Sequence, residues 1–310
     1  MKKLISTILM AAILGSTIAF AGCSSEVQGT TSTAPAASSA APAAVSDAAP
    51  AASQEAASSA AAASTADLSG KLTLNGSTSM AKVCQALGEA FQQKYPNVTV
   101  EKGGTGSGDA AKAVSAGTAL IGDLSRNMKD EEKPGDYEIV QIAIDGIAIA
   151  INKDNKVTNL TSDQITKIFT GEIKNWKDVG GADQKITVLG REAASGTRDG
   201  FETIFKCSKK CKYAAELSST GEVVTKVSSD KSAVGYVSLD SVNESIKAVD
   251  VDGVKANEEN IVNKSYKAQR PFIEIYKKGT DSDLVKAWFD FVKSDEGQAV
   301  IKKVGLVTVK

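Results

Sequence analysis

Ile186-Thr187-Val188-Leu189-Gly190, followed by Arg191-Glu192-Ala193-Ala194-Ser195-Gly196-Thr197-Arg198, is the stretch on which the reading of this chain turns. The first five residues suit a short strand, and Phe201 to Phe205 opens an amphipathic helical pattern. Strand, turn and helix therefore follow one another, with Ser-Gly-Thr at the helix start. Free N–H groups at a helix N-terminus, with two hydroxyls beside them, make a cradle for a small oxyanion. Arg191 adds a planar, permanently charged fork that grips two oxygens at once. Taken alone, the stretch equally fits a surface arginine followed by ordinary helix capping.

Two more strand ends tip the balance. Leu74-Asn75-Gly76 runs into Ser77-Thr78-Ser79 at one expected helix start, and Val100 leads to Gly104-Thr105-Gly106-Ser107-Gly108 at another. Ligands of open α/β sheets sit beyond the carboxyl ends of the strands. Three helix N-termini, each worth about half a positive charge, plus Arg191 balance a divalent anion. Gly106 to Ala111 also fits a loose dinucleotide pattern, but it lacks the Gly-Lys-Ser/Thr ending of a P-loop, and an exported protein rarely meets NAD.

The rest of the chain alternates in the same way. Strands are expected at Leu72–Leu74, Val98–Val100, Ala119–Ile121, Val234–Val237 and Pro271–Tyr276. Helices are expected at Met80–Tyr95, Asp109–Ser115, Ser162–Phe169, Gly221–Val227, Asp281–Val292 and Glu296–Val304. Tyr137 to Asn152 reads as a long β-type run broken at Asp145-Gly146. The pattern predicts an α/β fold with largely parallel sheets and no internal repeat.

The N-terminus reads as a processed segment. Lys2 and Lys3 precede an apolar run, Leu4 to Phe20, that is short for a bilayer span, and Ala21-Gly22-Cys23 resembles a bacterial lipobox with Phe20 in place of the usual Leu. Residues 1–22 are thus expected to be a signal peptide and Cys23 the lipidated mature N-terminus. Residues 23–67 continue as a disordered tether of Ala, Ser, Thr and Pro, too poor in large apolar residues to order itself. Its random-coil span is roughly 35–40 Å. The protein is expected outside the cytoplasm, anchored to the cell membrane.

Composition narrows the chemistry. Lys and Arg total 36 and Asp and Glu 37, a net charge of −1, with no basic patch or basic–aromatic interleaving, so nucleic acid is not an expected partner. The chain has no His, which removes His-based triads and most zinc sites. Of the four Cys, Cys84 falls on an apolar helix face. Cys207 and Cys211 lack the spacing of redox or zinc motifs, leaving a small loop disulfide or two free thiols. A disulfide formed after export is the expectation taken forward, with no metal and no cofactor.

These motifs together resemble the substrate-binding lipoproteins of phosphate ABC transporters, from about Leu72 to the C-terminus. The resemblance rests on Asn75 to Ser79, the Gly-Ser-Gly loop, Ile121 to Arg126, Asp145-Gly146, Phe169 to Trp176, Arg191 to Arg198 and Ala233 to Leu239. The tail, Gly297-Gln298 through Gly305-Leu306-Val307, fits as well. It implies a periplasmic-binding-protein type II fold: two α/β lobes with mixed, mainly parallel sheets, joined by two crossover segments around a ligand cleft. The crossovers would lie near Asp145 and Lys267–Pro271, giving lobe one as 68–144 plus 271–310 and lobe two as 145–270. It further implies a monomer that binds inorganic phosphate and serves the permease subunits of an ABC importer. The ligand residues it implies are Thr78, Ser79, Ser107, Ser125, Arg191, Ser195, Gly196 and Thr197. Known members carry an Asp where this chain has Ser125, and that Asp accepts the proton of bound phosphate; Asp145, or else Asp123, is expected to replace it.

Two other readings stand beside this one. The same donors suit another tetrahedral oxyanion, such as sulfate or molybdate. Ser79-Met80-Ala81-Lys82 and Ser241-Val242-Asn243 match two motifs of penicillin-binding acyl-enzymes, but Lys277-Lys278-Gly279 fails the third. Without a His, an obvious base or a paired acid, a binder is expected rather than an enzyme.

Overall fold

Leu72 and Leu74 alternate with Thr73 and Asn75, so the first strand, β1 (Gly70–Gly76), turns its leucines into a core. The computed structural model describes residues 68–309. After a 3-10 turn at Thr78–Met80 come α1 (Ala81–Lys94), β2 (Val98–Gly103), α2 (Ser107–Ser115), β3 (Ile121–Leu124) and the long β4 (Tyr137–Asn152). Then follow β5 (Asn159–Leu160), α3 (Ser162–Phe169), β6 (Thr187–Arg191), α4 (Gly196–Ile204), β7 (Ala215–Leu217) and α5 (Thr220–Ser229). The remainder is β8 (Ala233–Ser238), β9 (Ile246–Ala248), β10 (Asp250–Val251), α6 (Glu258–Val262), β11 (Gln269–Lys277), α7 (Asp283–Lys293) and α8 (Asp295–Lys303).

The strands run in the order β2-β1-β3-β11-β4-β8-β6-β7, with β9 also on β4 and β5–β10 forming a separate pair. β1 is parallel to β2 and β3, and β6 is parallel to β7 and β8. Between these two parallel blocks, β11 and β4 are antiparallel to each other and to their outer neighbours. The fold is the expected mixed α/β class, with the antiparallel strands in the middle.

The break expected at Asp145-Gly146 is absent, because β4 continues through both residues. Asp145 sits directly across from Arg270 on β11, and the charge that looked like a strand breaker is neutralised within the ladder. Here β4 changes partners: β11 covers Tyr137 to Gly146, and β8 covers Ile147 to Ile151. From Ile147 onward β4 is buried on both faces, which is why it reads as an unbroken apolar run.

Separate cores flank this seam. Trp288, Phe91 and Phe291 fill one between the sheet, α1 and α7; Trp176, Phe169 and Phe201 fill another around α3 and α4. Each indole N–H is paired, Trp288 Nε1 to Glu274 Oε2 at 2.7 Å and Trp176 Nε1 to the Ser232 carbonyl at 2.9 Å. Among the described residues no helix is long and apolar enough to cross a membrane. The expected signal peptide, Cys23 and tether lie outside the described residues.

The expected Cys207–Cys211 disulfide is not formed here. Both are free thiols, and Cys211 Sγ–H points at Cys207 Sγ across 3.3 Å. Cys207 is fully buried in the core around Trp176, not on a surface loop. The pair is held as a thiol–thiol hydrogen bond beyond the ~2.05 Å of a covalent bridge.

Candidate functional site

Four helix starts meet where the two parallel blocks face each other: the turn at Thr78–Met80 leading into α1, and the first turns of α2, α4 and α5. Each follows the carboxyl end of a strand, so the positive ends of four helix dipoles lie around one group of hydroxyls. Gly106 makes the approach of α2 possible. Its φ of 97° is one that L side chains rarely adopt, and a Cβ there would lie 2.8 Å from the Ala194 carbonyl oxygen. The Gly108 N–H donates to that same oxygen at 2.9 Å, tying the Gly-rich loop to the Arg191 turn.

The expected hydroxyls come together. Ser77 Oγ donates to Ser125 Oγ at 2.8 Å and lies 2.9 Å from Ser79 Oγ. Ser107 Oγ is 3.3 Å from Ser125 Oγ and accepts from the Ser125 N–H at 3.1 Å. Thr197 Oγ1 donates to Ser79 Oγ at 3.2 Å, across the two blocks. Gly196 sits against this group; a Cβ on it would be 2.3 Å from Ser107 Oγ and 2.6 Å from Ser125 Oγ. Ser195 caps α4, its Oγ accepting from the Arg198 N–H at 3.2 Å, which leaves its own O–H as a donor. All these hydroxyl residues are buried.

Arg191 is also buried, at 1 % exposure, despite being the residue most open to a surface reading. Its Nε donates to the Leu217 carbonyl (3.0 Å), and Glu192 pairs with the same edge. The other nitrogens reach Thr78 Oγ1 at 3.0 Å and Thr220 Oγ1 at 3.2 Å. Thr220, at the start of α5, further gives its N–H to Thr78 Oγ1 at 3.3 Å.

A second guanidinium was not anticipated. Arg270 donates from Nε and one terminal nitrogen to Asp145 Oδ2 (3.0 and 2.8 Å), then to Thr197 Oγ1 (2.8 Å), Ser79 Oγ (3.2 Å) and the Ser125 carbonyl (3.2 Å). It spans both sides of the cleft. Burial lowers its basicity, and the facing Asp145 opposes that effect.

The role expected for Asp145 changes accordingly. Its Oδ1 accepts from Ser238 Oγ at 2.7 Å and the Leu239 N–H at 3.3 Å, while Oδ2 holds Arg270. Burial pushes the Asp145 carboxyl up to about 7, against the pull of Arg270. With both oxygens engaged by the protein, it positions the arginine and does not turn a free acceptor to the cleft. Asp123 is no substitute: its carboxylate is paired with Lys102 at 2.9 Å and faces Cys84 and Glu274. The site is therefore rich in donors, and the carboxylates of Asp145 and Glu192 are each committed to an arginine. Lys82, which an acyl-enzyme would need beside Ser79, sends its ammonium to the Asp240 (2.8 Å) and Val304 (3.3 Å) carbonyls.

Arg270 and Thr220 left faint traces in the sequence. Arg270 opens an apolar strand, and a buried arginine needs a carboxylate; Asp145 is the acid inside the facing apolar run. Ser219-Thr220-Gly221-Glu222 has the Ser-x-x-Glu spacing of a helix cap, and Ser219 Oγ does accept from the Glu222 N–H at 3.1 Å.

A mixed α/β sheet with helix starts converging on a buried, donor-lined cleft defines a binding protein of the periplasmic type. The chain matches the PBP superfamily domain over residues 24–296 and belongs to that family. More narrowly, it is similar to the phosphate-binding protein PstS of Bacillus subtilis, with 32 % identity over 254 residues that cover 78 % of this chain and 81 % of the relative. PstS of Staphylococcus haemolyticus is 31 % identical over 252 residues, 75 % of this chain and 79 % of that protein. Among solved structures, the Clostridium perfringens protein crystallised with bound phosphate is 41 % identical, with a TM-score of 0.75 over 78 % of this chain and 100 % of that one. An ABC-type phosphate transport receptor from Vibrio cholerae is 33 % identical, with a TM-score of 0.64 over 77 % and 100 %. The family resemblance read from the motifs holds.

Proposed function

We propose that this chain captures inorganic phosphate in the cleft and delivers it to the permease subunits of an ABC importer. One observation carries the reading: two buried arginines, each already neutralised by its own carboxylate, share the cleft with seven buried hydroxyls and four helix starts. The partial charges of the helix starts are then left without an anion. A small tetrahedral oxyanion supplies acceptors in every direction that the donors point, and the similarity to PstS proteins selects phosphate among such ions.

The reading assigns no chemical step; recognition is a matter of matching donors to acceptors in a cleft closed to water. Residues 68–144 plus 271–310 and residues 145–270 serve as the two lobes, with β4 and β11 as the crossovers. The loaded, closed form is what the permease would recognise. Cys23, lipidated after removal of residues 1–22, would hold the protein at the outer face of the cell membrane.

Calorimetric titration of the full-length chain tests the binding step. One equivalent of phosphate is expected to bind, ahead of sulfate and molybdate. No heat and no thermal shift at millimolar phosphate would sink the proposal. Replacing Cys23 by Ala should release the protein into the medium, and retention at the membrane would refute the anchor.

A further inference from the structure

Behind the cleft, on the sheet face covered by α1 and α7, polar side chains gather in a core otherwise made of Leu74, Leu87, Ile121, Phe272 and Trp288. Asp123 on β3 and Glu274 on β11 are direct register partners, and both are fully buried. Like charges opposed across a strand pair repel, and burial magnifies the repulsion. Cys84 of α1 lies over them: its Sγ and one carboxylate oxygen from each acid are all within 4.8 Å of one another. Glu274 spends Oε2 on the Trp288 indole, while its Oε1 is buried without a hydrogen-bond partner.

Lys102 brings one positive charge, its Nζ 2.9 Å from Asp123 Oδ2. It also lines, with Cys84, Gln85, Gly88 and Gln92, a groove of about 420 Å³ along α1. That groove is a route from solvent to the cluster.

We infer that Cys84, Asp123 and Glu274 form a binding site for one divalent transition-metal ion of the zinc type. A thiolate and two carboxylates carry three negative charges, and a divalent ion with the Lys102 ammonium carries three positive ones. The buried group is then neutral, and the repulsion between the facing acids becomes shared coordination. One sulfur and two oxygens suit Zn²⁺ or Co²⁺, with a fourth position for water, and do not suit Mg²⁺ or Ca²⁺, which take oxygen ligands alone. The thiol gives up its proton on binding. The ion would pin α1 to β3 and β11 directly beneath the cleft, where the Asp123 carbonyl accepts the Ser77 N–H at 2.8 Å.

Cobalt titration of the full-length protein tests this. A thiolate-to-cobalt charge-transfer band should grow to one equivalent, be displaced by Zn²⁺, and resist excess Mg²⁺ and Ca²⁺. The same band should appear when Cys23, Cys207 and Cys211 are all replaced by Ser, which leaves Cys84 as the sole thiol. In that background Glu274→Gln keeps an acceptor for Trp288 and should weaken cobalt binding at least tenfold, with the near-ultraviolet circular dichroism of the tryptophans unchanged. Absence of the band in the Cys84-only protein, or an unaltered affinity in Glu274→Gln, overturns the inference.

Discussion

Ser125 and Asp123 stand two residues apart at the end of one strand, yet they serve pockets of opposite chemistry. Ser125 belongs to a cleft where hydroxyls, helix starts and two guanidiniums leave donors in excess. Asp123 belongs to a cluster where two acids and a thiol leave acceptors in excess. The end of β3 is the cause: Asp123 lies within the strand and faces Cys84 and Glu274, whereas Ser125 follows Leu124, the last strand residue, and sits among the cleft hydroxyls. A strand end thus separates a place for an anion from a place for a cation by two residues of chain. The lesson is that charge here is sorted by where a strand stops: the acid within the β3 ladder faces the core, and the donor just beyond it faces the cleft.

The donor side makes the largest predictions. Arg270→Ala removes charge-assisted bonds worth about 1.5–3 kcal/mol each and should weaken phosphate binding about a thousandfold or more. It also strands Asp145 as a buried, unpaired charge, costing about 3–5 kcal/mol of stability in urea denaturation. The double change Arg270→Met with Asp145→Leu should restore much of that stability and none of the binding. If the double variant binds phosphate as the parent does, Arg270 is structural only.

Arg191→Ala should follow at roughly a hundredfold, and Arg191→Lys should also bind clearly less tightly, since a lysine cannot reproduce the fork. A loss larger than that of Arg270→Ala in the same calorimetric series would reverse the ranking of the two arginines. Gly196→Ala places a methyl group against Ser107 and Ser125 and should cost about tenfold, the worth of a displaced hydroxyl bond. An unchanged affinity would show that α4 stands off from those serines in solution.

Asp145→Asn sharpens the comparison differently. Because the carboxylate faces Arg270, Ser238 and the Leu239 N–H, the change should lower phosphate affinity severalfold without altering the preference over sulfate. A gain in sulfate competition would restore Asp145 as the proton acceptor.

The smallest effect concerns acid stability at Arg126, whose guanidinium pairs with Glu132 at 2.7 Å and Asp199 at 2.8 Å. Burial works against ionisation of Glu132, but hydrogen bonds from Arg126 and the Lys129 N–H outweigh it and hold the carboxyl below its ordinary 4.5. The unfolded chain then takes up the proton first on acidification. The contribution is full above about pH 4.5 and drains away as the pH falls through the lowered value. Glu132→Gln should therefore flatten the acid limb of the stability curve, and an identical limb in both proteins would contradict it.

Much of this protein was legible in one dimension. Helix starts depend on a few adjacent residues, so Ser77 to Ser79, Gly106 to Gly108 and Arg191 to Thr197 could be recognised from local sequence. Each indeed opens a helix at the end of a strand. The cores were legible too, since periodic apolar spacing survives without knowledge of partners, and Cys84 fell on the buried face as expected. What the sequence could not supply was register. Arg270 meets Asp145 across 125 residues of chain, and Asp123 meets Glu274, only because β11 pairs with β4 and β3 in one alignment. A slip of one residue would send every one of those side chains to the opposite face. Which residues cradle a helix start was written locally; which charges answer one another was decided when the strands closed.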